Sequence, residues 1–176
     1  MKSLFFQKRV VRIMLFCMLS LCLISWDRVT KDLAKEHLRN KPARSYLNDS
    51  FRLEYVENTG AAMSLADDLN PATSFWLLGV LPLAVLVGLF GYVVSHARQI
   101  MMPKMIGFSL IFAGGIGNIL DRLIFDRHVT DFMNIGILQL RSGIFNFADL
   151  WITVGVVCLI LFRSRQGSVQ GQQQSK

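Results

Sequence analysis

The most constraining feature of this sequence is a run of twenty uncharged residues, FWLLGVLPLAVLVGLFGYVV, from Phe75 to Val94. A helix of about 20 apolar residues is long enough to cross the hydrocarbon core of a bilayer. The composition agrees, since 52% of the chain is hydrophobic and 18% is charged, against about 25% charged in typical soluble domains. The chain is therefore predicted to be an integral membrane protein.

Three shorter apolar blocks accompany this run, at 13–26, 105–120 and 147–162. Because sixteen helical residues extend only about 24 Å, polar residues at the ends of these blocks are expected within the membrane boundary. We predict an all-α membrane protein with four spans, at about 10–26, 75–94, 104–120 and 147–162. They belong to a single domain of residues 1–166, followed by a disordered cytoplasmic tail, 167–176.

The first apolar block follows a basic start, with Lys2, Lys8, Arg9 and Arg12. This arrangement is typical of a signal peptide, but the block is followed by SWDRVTK rather than by a small-residue cleavage site. We therefore interpret it as an uncleaved anchor.

The distribution of charge predicts the orientation of the spans. Segments 1–12, 95–104 and 163–176 hold nine Lys or Arg and no acid, whereas 27–74 and 121–149 hold ten basic residues and all twelve acids. By the positive-inside rule, both termini are cytoplasmic and the large loops face the outer side. Anionic lipid at the cytoplasmic face accounts for the net charge of +7 without a nucleic-acid partner.

Between the first two spans, the sequence predicts a helical continuation and a strand. The charged stretch DRVTKDLAKEHLRNKPAR, 27–44, continues helix one and then lies at the surface. FRLEYVEN, 51–58, alternates, with Phe51, Leu53 and Tyr55 on one face. A short sheet on the outer side is expected.

Polar residues collect at the outer end of the third span, in GGIGNILDR. In a helix, Asn118, Asp121 and Arg122 share one face. An interfacial ion pair with a capping amide is an alternative interpretation for Asp121 and Arg122. The glycines of the same span also permit close helix packing.

Two further aspartates lie beside apolar sequence. Asp131 in VTDF has neighbours that would raise its pKa by desolvation, although a turn or N-cap aspartate is an alternative. Asp149 in FNFADLW precedes the fourth span, where helix capping is the alternative. With Asn146, these residues converge on the outer ends of two adjacent spans, which a plain surface rim does not require.

Two carboxylates at a membrane boundary indicate a particular chemistry. Placed close together at low dielectric they share one proton, so that one accepts a proton from water while the other donates to a carbonyl under attack. This is aspartyl peptide hydrolysis, which needs no metal or other cofactor. A zinc site is not expected, because the three histidines, His37, His96 and His128, lie in different segments without an HExxH motif.

Two other polar stretches are candidate binding or supporting elements. ENTGAA, 57–62, presents Asn58 and the backbone of Gly60 as an edge for a peptide, with a plain β-turn as the alternative. Asp27 and Lys31 are four residues apart just beyond the first span. They form either an ordinary helical ion pair or a buttress for the site.

Taken together, five motifs in this order resemble the lipoprotein signal peptidases, the bacterial signal peptidase II family. They are DRVTK (27–31), ENTGAAMS (57–64), GGIGNILDR (114–122), VTDFMN (129–134) and FNFAD (145–149). The resemblance implies an aspartyl endopeptidase of the bacterial cytoplasmic (inner) membrane that cleaves the signal peptide from diacylglyceryl-modified prolipoproteins, N-terminal to the lipidated cysteine. Its partners are then that substrate and membrane lipid.

The resemblance also implies roles for individual residues and a fold. Asp131 and Asp149 match the catalytic dyad, and Asp27 with Lys31 match a supporting pair. The positions that match the substrate site are Asn58, Gly60, Asn118, Asp121, Arg122 and Asn146. The implied fold is four transmembrane helices with a small extracytoplasmic β-cradle and a surface helix. Two positions depart from the family pattern, namely Met63, where an aromatic is common, and Arg28, where Gln is frequent.

Two rival functions remain to be weighed against a protease. A small transporter or channel subunit would carry functional Asp and Arg near span midpoints, but the acids here lie at outer ends or in loops. A lipid-headgroup transferase would hold a metal with several Asp at helical spacing, whereas Asp121 and Asp126 are five apart. Because one chain supplies the whole predicted site, a monomer is expected.

Overall fold

The computed structural model of the chain describes residues 2–60 and 70–163, without the side chains of 2–6 and 71. The elements of this part are α1 (Lys2–Leu38), β1 (Arg44–Tyr46), β2 (Phe51–Asn58), α2 (Pro71–Phe75), α3 (Leu81–His96), α4 (Met102–Ile124), β3 (Val129–Ile137), β4 (Leu140–Arg141) and α5 (Phe147–Leu161). A π-helical stretch, Trp76–Val80, joins α2 to α3. Met63 and the predicted tail, 167–176, lie outside the described residues.

Three helical segments of the described chain are long and apolar enough to cross a membrane. They are Gln7–Leu38, Ala72–His96 and Met102–Ile124. The fourth predicted span corresponds to α5, whose 15 residues extend only about 22 Å. A crossing by α5 therefore stays a prediction.

Helix α1 joins the first apolar block and the charged stretch after it into one helix of 37 residues. The predicted continuation of helix one is thus confirmed as far as Leu38. Asn40 then has a positive φ of 61°, a left-handed conformation that Asn tolerates better than most residues, and Pro42 follows. The long helix brings Asp27 and Lys31 beside the end of α4 and the start of α5.

Helices α4 and α5 approach closely along a line of small residues. A Cβ on Gly107 would lie 3.1 Å from the Gly155 carbonyl oxygen, and one on Gly155 would lie 2.7 Å from that of Gly107. A Cβ on Gly114 would overlap the carbonyl oxygen of Ala148. The predicted packing role of the glycines in the third span is confirmed, because larger residues would push the two backbones apart.

The four strands form one antiparallel sheet in the order β1-β2-β3-β4. Strand β2 has the predicted bounds, 51–58. It pairs with β3 so that Val56 lies opposite Asp131 and Asn58 opposite Val129, after an irregularity between Leu53 and Val56. The pairing sets Asn58 and Asp131 at the same end of the sheet.

The sheet packs one face against the end of α1. Ala34 and Leu38 of the helix contact Phe132 and Met133 of β3 in a buried apolar cluster. The predicted apolar face of β2 borders this cluster, with the side chains Phe51, Leu53 and Tyr55. This cluster fixes the sheet above the helices, with β3 next to the start of α5.

Candidate active site

The predicted site residues come from five elements that meet at one end of the helices. Helix α1 contributes Asp27 and Lys31, and the last two turns of α4 contribute Asn118, Asp121 and Arg122. Strand β2 ends at Asn58, and Asp131 is the third residue of β3. The start of α5 supplies Asn146 and Asp149.

A buried charged cluster centres on Lys31, whose side chain is fully buried. Its Nζ lies 2.7 Å from Asp27 Oδ2 and 2.9 Å from Asp121 Oδ2, and it donates a hydrogen bond of 3.2 Å to Asn118 Oδ1. The three donors of the ammonium group are thereby matched by three acceptors. Asp27 and Asp121 are themselves about as buried as Lys31, at 2% and 1% exposed.

This cluster also holds the elements that carry the other two aspartates. Asp27 Oδ1 accepts a hydrogen bond of 2.8 Å from the backbone N–H of Ala148 in α5. Asp121 Oδ2 accepts one of 3.2 Å from the N–H of Thr130 in β3. Arg28 is one of the two departures from the family pattern, and its Nη1 lies 2.9 Å from Asp121 Oδ1. Asp27 and Lys31 thus form the expected helical ion pair, and the cluster around it also contacts α5 and β3.

Asp131 and Asp149 are connected through two asparagine side chains. Asn146 Nδ2 donates to Asp131 Oδ1 at 2.6 Å and to Asn118 Oδ1 at 3.3 Å. Asn118 Nδ2 in turn donates to Asp149 Oδ1 at 2.8 Å. Because Asn118 Oδ1 also accepts from Lys31, its amide orientation is fixed with the NH₂ group toward Asp149.

The structure tests the helix-capping and turn alternatives for Asp149 and Asp131. The N-cap of α5 is Asn146, which accepts from the Asp149 N–H, while Asp149 accepts from the Asn146 N–H and completes a capping box. Capping and a place in the site are therefore combined in Asp149. Asp131 lies within β3 rather than in a turn or at a helix N-cap, so that alternative is wrong.

Both carboxylates line one cavity of about 380 Å³. Burial raises the pKa of Asp131 to about 6, with a smaller increase from the charge of Asp149, while hydrogen bonds from Asn58 and Asn146 act in the opposite direction. Asn58 Nδ2 donates to Asp131 Oδ2 at 2.9 Å. A carboxyl with this pKa exchanges its proton within the physiological range.

Arg122 lies in the same cavity and contacts the residues that follow β2. Its Nη2 donates to the Gly60 carbonyl oxygen at 3.1 Å, and its buried Nε has no hydrogen-bond partner among residues 2–60 and 70–163. Asn58 Oδ1 accepts from the Gly60 N–H at 2.9 Å. The Gly60 backbone is therefore occupied by Asn58 and Arg122.

Some predicted binding residues do not reach the cavity. Asn58, Asn118 and Arg122 line it, whereas Asp121 faces Lys31, and Asn146 is fully buried behind the two aspartates. The remaining lining residues were not singled out in the sequence, and they are Val129, Ser142, Gly143, Ile144, Phe145, Ile152 and Thr153. Val129 and Phe145 are the first residues of VTDF and FNFAD, and the others lie within four residues of FNFAD.

Comparison with known proteins gives a consistent result. The family model of Signal peptidase (SPase) II matches residues 19–164. The lipoprotein signal peptidase of Chlorobaculum parvum is 38% identical over 160 residues, 85% of this chain and 95% of that protein. The lipoprotein signal peptidase of Fusobacterium nucleatum is 34% identical over 148 residues, covering 84% of this chain and 85% of that protein.

A solved structure has the same fold. It is a bacterial membrane enzyme determined by the in meso method at 2.3 Å resolution, with a TM-score of 0.73 and 24% sequence identity. The likeness covers 87% of this chain and 89% of that one. The apolar helices and small sheet described above thus have the fold of that membrane enzyme.

Proposed function

Since this chain belongs to the signal peptidase II family, proteases that process bacterial lipoproteins, we propose that it is an aspartyl endopeptidase with Asp131 and Asp149 as its catalytic pair. The observation that carries this proposal is the shared cavity, which both carboxylates line. Neither forms an ion pair with a described Lys, Arg or His, and their hydrogen bonds come from amides. Without a fixed counter-ion, the pair is able to take up and release one proton.

The hydrogen bonds support a division of roles between the two aspartates. Asp149 is the third residue of α5, where the helix N-terminus favours an anion. Asp131 is 2% exposed in a strand, and its pKa is raised to about 6. We assign the shared proton to Asp131 and the ionised form to Asp149.

Hydrolysis then proceeds without a covalent intermediate. Asp149 accepts a proton from water as the water oxygen bonds to the scissile carbonyl carbon, and Asp131 donates its proton to the carbonyl oxygen. When the C–N bond breaks, Asp149 returns its proton to the leaving amine and Asp131 recovers its proton from the hydroxyl group. Arg122 lines the same cavity, and we assign to its guanidinium group the stabilisation of the developing oxyanion.

The substrate is proposed to be a prolipoprotein whose cysteine carries a diacylglyceryl group, cleaved N-terminal to that cysteine. Beside the catalytic cavity lies an apolar groove of about 170 Å³. Phe75, Leu78, Leu83 and Leu123 line it, and Arg122 borders both the groove and the cavity. An acyl chain in this groove would hold the adjoining peptide next to the two aspartates.

The proposed orientation of the protein in the membrane follows from the depth at which the substrate must bind. A lipid-modified cysteine lies near the bilayer surface, so the two carboxylates must lie at that level. We propose that α5 is a fourth span, that both termini are cytoplasmic and that the sheet and cavity face the outer side. Because one chain supplies every residue of the proposed site, we propose a monomer.

The decisive experiment is cleavage of a diacylglyceryl-modified prolipoprotein by purified variants. Asp131→Asn and Asp149→Asn should each reduce kcat by on the order of 10³-fold, because each role in acid–base catalysis contributes about 10²–10⁴-fold. Asp126→Asn is the matched control, since Asp126 is an exposed loop carboxylate. EDTA should leave the wild-type rate unchanged. Cleavage at the wild-type rate by either dyad variant would show that the catalytic pair is misassigned.

A further inference from the structure

The segment Ser142–Phe145 joins the edge strand β4 to α5 and is fixed firmly at its first residue. The N–H of Ser142 donates to the Ile135 carbonyl oxygen at 2.7 Å, and the Ser142 carbonyl oxygen accepts from Asn134 Nδ2 at 2.6 Å. Ser142 Oγ accepts from the Ile135 N–H at 3.0 Å and donates to the Gly143 carbonyl oxygen at 2.7 Å. Every polar group of Ser142 is therefore engaged.

The last residue of the segment is fixed equally well. The N–H of Phe145 donates to the Met133 carbonyl oxygen at 2.8 Å. The Phe145 carbonyl oxygen accepts from the N–H groups of Phe132 and Met133, at 3.1 and 2.9 Å. The two ends of the segment are thus attached to β3 as a continuation of the sheet.

Between these ends, three backbone groups remain without a partner. The N–H of Gly143 and both the N–H and C=O of Ile144 form no hydrogen bond within residues 2–60 and 70–163. Both residues line the cavity that contains Asp131 and Asp149. Backbone polar groups in a partly enclosed site require a partner, and the free edge of a sheet is suited to an added strand.

The geometry points to a docking edge for substrate, in which Ile144 exchanges backbone hydrogen bonds with one residue of the signal peptide that precedes the lipidated cysteine. This inference rests on the proposed function and identifies where its peptide substrate binds. An extended peptide added to a sheet edge gains main-chain hydrogen bonds whatever its side chains. The Gly143 N–H supplies a neighbouring donor for a carbonyl oxygen of the same peptide.

The first test changes the substrate and leaves the protein intact. Single amides before the lipidated cysteine are replaced one at a time by esters, which removes one N–H and keeps the chain extended. The Ile144 C=O should accept from one substrate N–H. One ester, away from the scissile bond, is therefore expected to raise KM by about 3- to 10-fold. The esters on both sides of it should leave KM within about twofold, because backbone groups of a strand point alternately to and from its partner.

The second test removes the donor from the protein. Ile144→Pro lacks the N–H and should raise KM for the parent substrate by about 3- to 10-fold with little change in kcat. Ile144→Val separates loss of the N–H from loss of side-chain bulk, because it keeps the N–H with a side chain close in size to proline, and its KM should rise less than that of Ile144→Pro. A folded Ile144→Pro variant with wild-type KM would overturn the docking edge.

The outcomes separate this inference from the proposed function. If every ester substrate has a KM within twofold of the parent, or if all raise KM equally, the docking edge is wrong. The dependence of cleavage on Asp131 and Asp149 would stand in that case. If Ile144→Pro does not fold, the ester series alone decides the matter, since it uses the wild-type protein.

Discussion

Two pairs of carboxylates lie at the same end of the helices, and their surroundings differ in one respect. Asp27 and Asp121 share the buried ammonium of Lys31, at 2.7 and 2.9 Å. Within residues 2–60 and 70–163, Asp131 and Asp149 receive hydrogen bonds only from amides, and both line a cavity. The first pair lies against the cations Lys31 and Arg28, and the second pair forms no ion pair with a described Lys, Arg or His.

This difference indicates that the first pair has a structural role and the second pair a chemical one. A buried ion with a matched counter-ion is held in one ionisation state, because separating the two charges in a low-dielectric region is costly. A carboxylate held by amides keeps its position but not a fixed charge, so its proton affinity is set by burial and by its neighbour. Asn118 belongs to both groups, since it accepts from Lys31 and donates to Asp149.

The largest expected effect comes from removing the shared cation. Lys31→Met should lower the free energy of unfolding by about 3–5 kcal/mol, because it leaves Asp27 buried without its counter-ion and Asp121 with Arg28 alone. Thermal or denaturant unfolding in detergent measures the change, with exposed Lys41→Met as control. If both variants unfold alike, the charged cluster is not structural.

Part of the fold and of the candidate site could be predicted from the sequence. The strand 51–58 and the helical continuation after the first span follow from local patterns, and the convergence of Asn118, Asp131 and Asp149 was predicted from their positions beside apolar runs. Each depends on residues close in sequence, such as an alternation of apolar side chains or polar residues at the end of an apolar run. The resemblance carried by the five motifs added which residues from distant segments act together, such as Asp131 with Asp149.

The placement of Asp121 was less accessible from the sequence. At about 100° per residue, Asp121 and Arg122 point in clearly different directions, with Asn118 between them. Asp121 accordingly faces Lys31 and Arg122 faces the cavity. The spacing i, i+3, i+4 predicted one shared face, but a face this wide contacts two different neighbours. The docking edge at Gly143 and Ile144 could not be predicted from the sequence either, because it consists of backbone N–H and C=O groups rather than of particular side chains.

The next prediction tests whether the two pairs depend on the approach of α4 to α5. Gly114→Ala should destabilise the protein by about 1–3 kcal/mol, because the added methyl group overlaps Ala148 and lies 2.8 Å from Ile152. It should also reduce kcat, since Asp149 follows Ala148 directly. Gly88→Ala is the control, because nothing lies within 4 Å of its added Cβ. Equal unfolding temperatures for the two variants would contradict the packing argument.

A third prediction uses pH to distinguish the pairs. The pKa of Asp131 is raised to about 6 from an ordinary value of 3.8, so the folded state binds this proton more tightly than the unfolded state. Its contribution to stability is therefore present below pH 3.8 and is lost as pH rises through about 6. Asp131→Asn should gain about 2 kcal/mol relative to the wild type between about pH 4 and about pH 8.

Unfolding free energies of wild type and Asp131→Asn, measured across this range, test the sign. Asp126→Asn serves again as the exposed control and should follow the wild type at every pH. A constant difference between Asp131→Asn and the wild type would mean that Asp131 does not titrate differently on folding. A gain by the wild type as pH rises would mean that the folded state holds Asp131 as an anion.

The smallest expected effect comes from removing Asn58, whose hydrogen bond lowers the pKa of Asp131. The hydrogen bond from Asn58 stabilises the ionised form and so lowers its pKa. Asn58→Ala removes that donor, so the basic limb of the kcat/KM profile, expected near pH 6 in the wild type, should move to higher pH by about half a unit to one unit. The apparent value belongs to the coupled pair rather than to Asp131 alone, but both members respond in the same direction when an anion loses a donor. KM is expected to rise as well, since Asn58 lines the cavity, and only the position of the limb reports on the proton. A limb that stays in place, or moves to lower pH, would show that the amides do not set the proton affinity of the second pair.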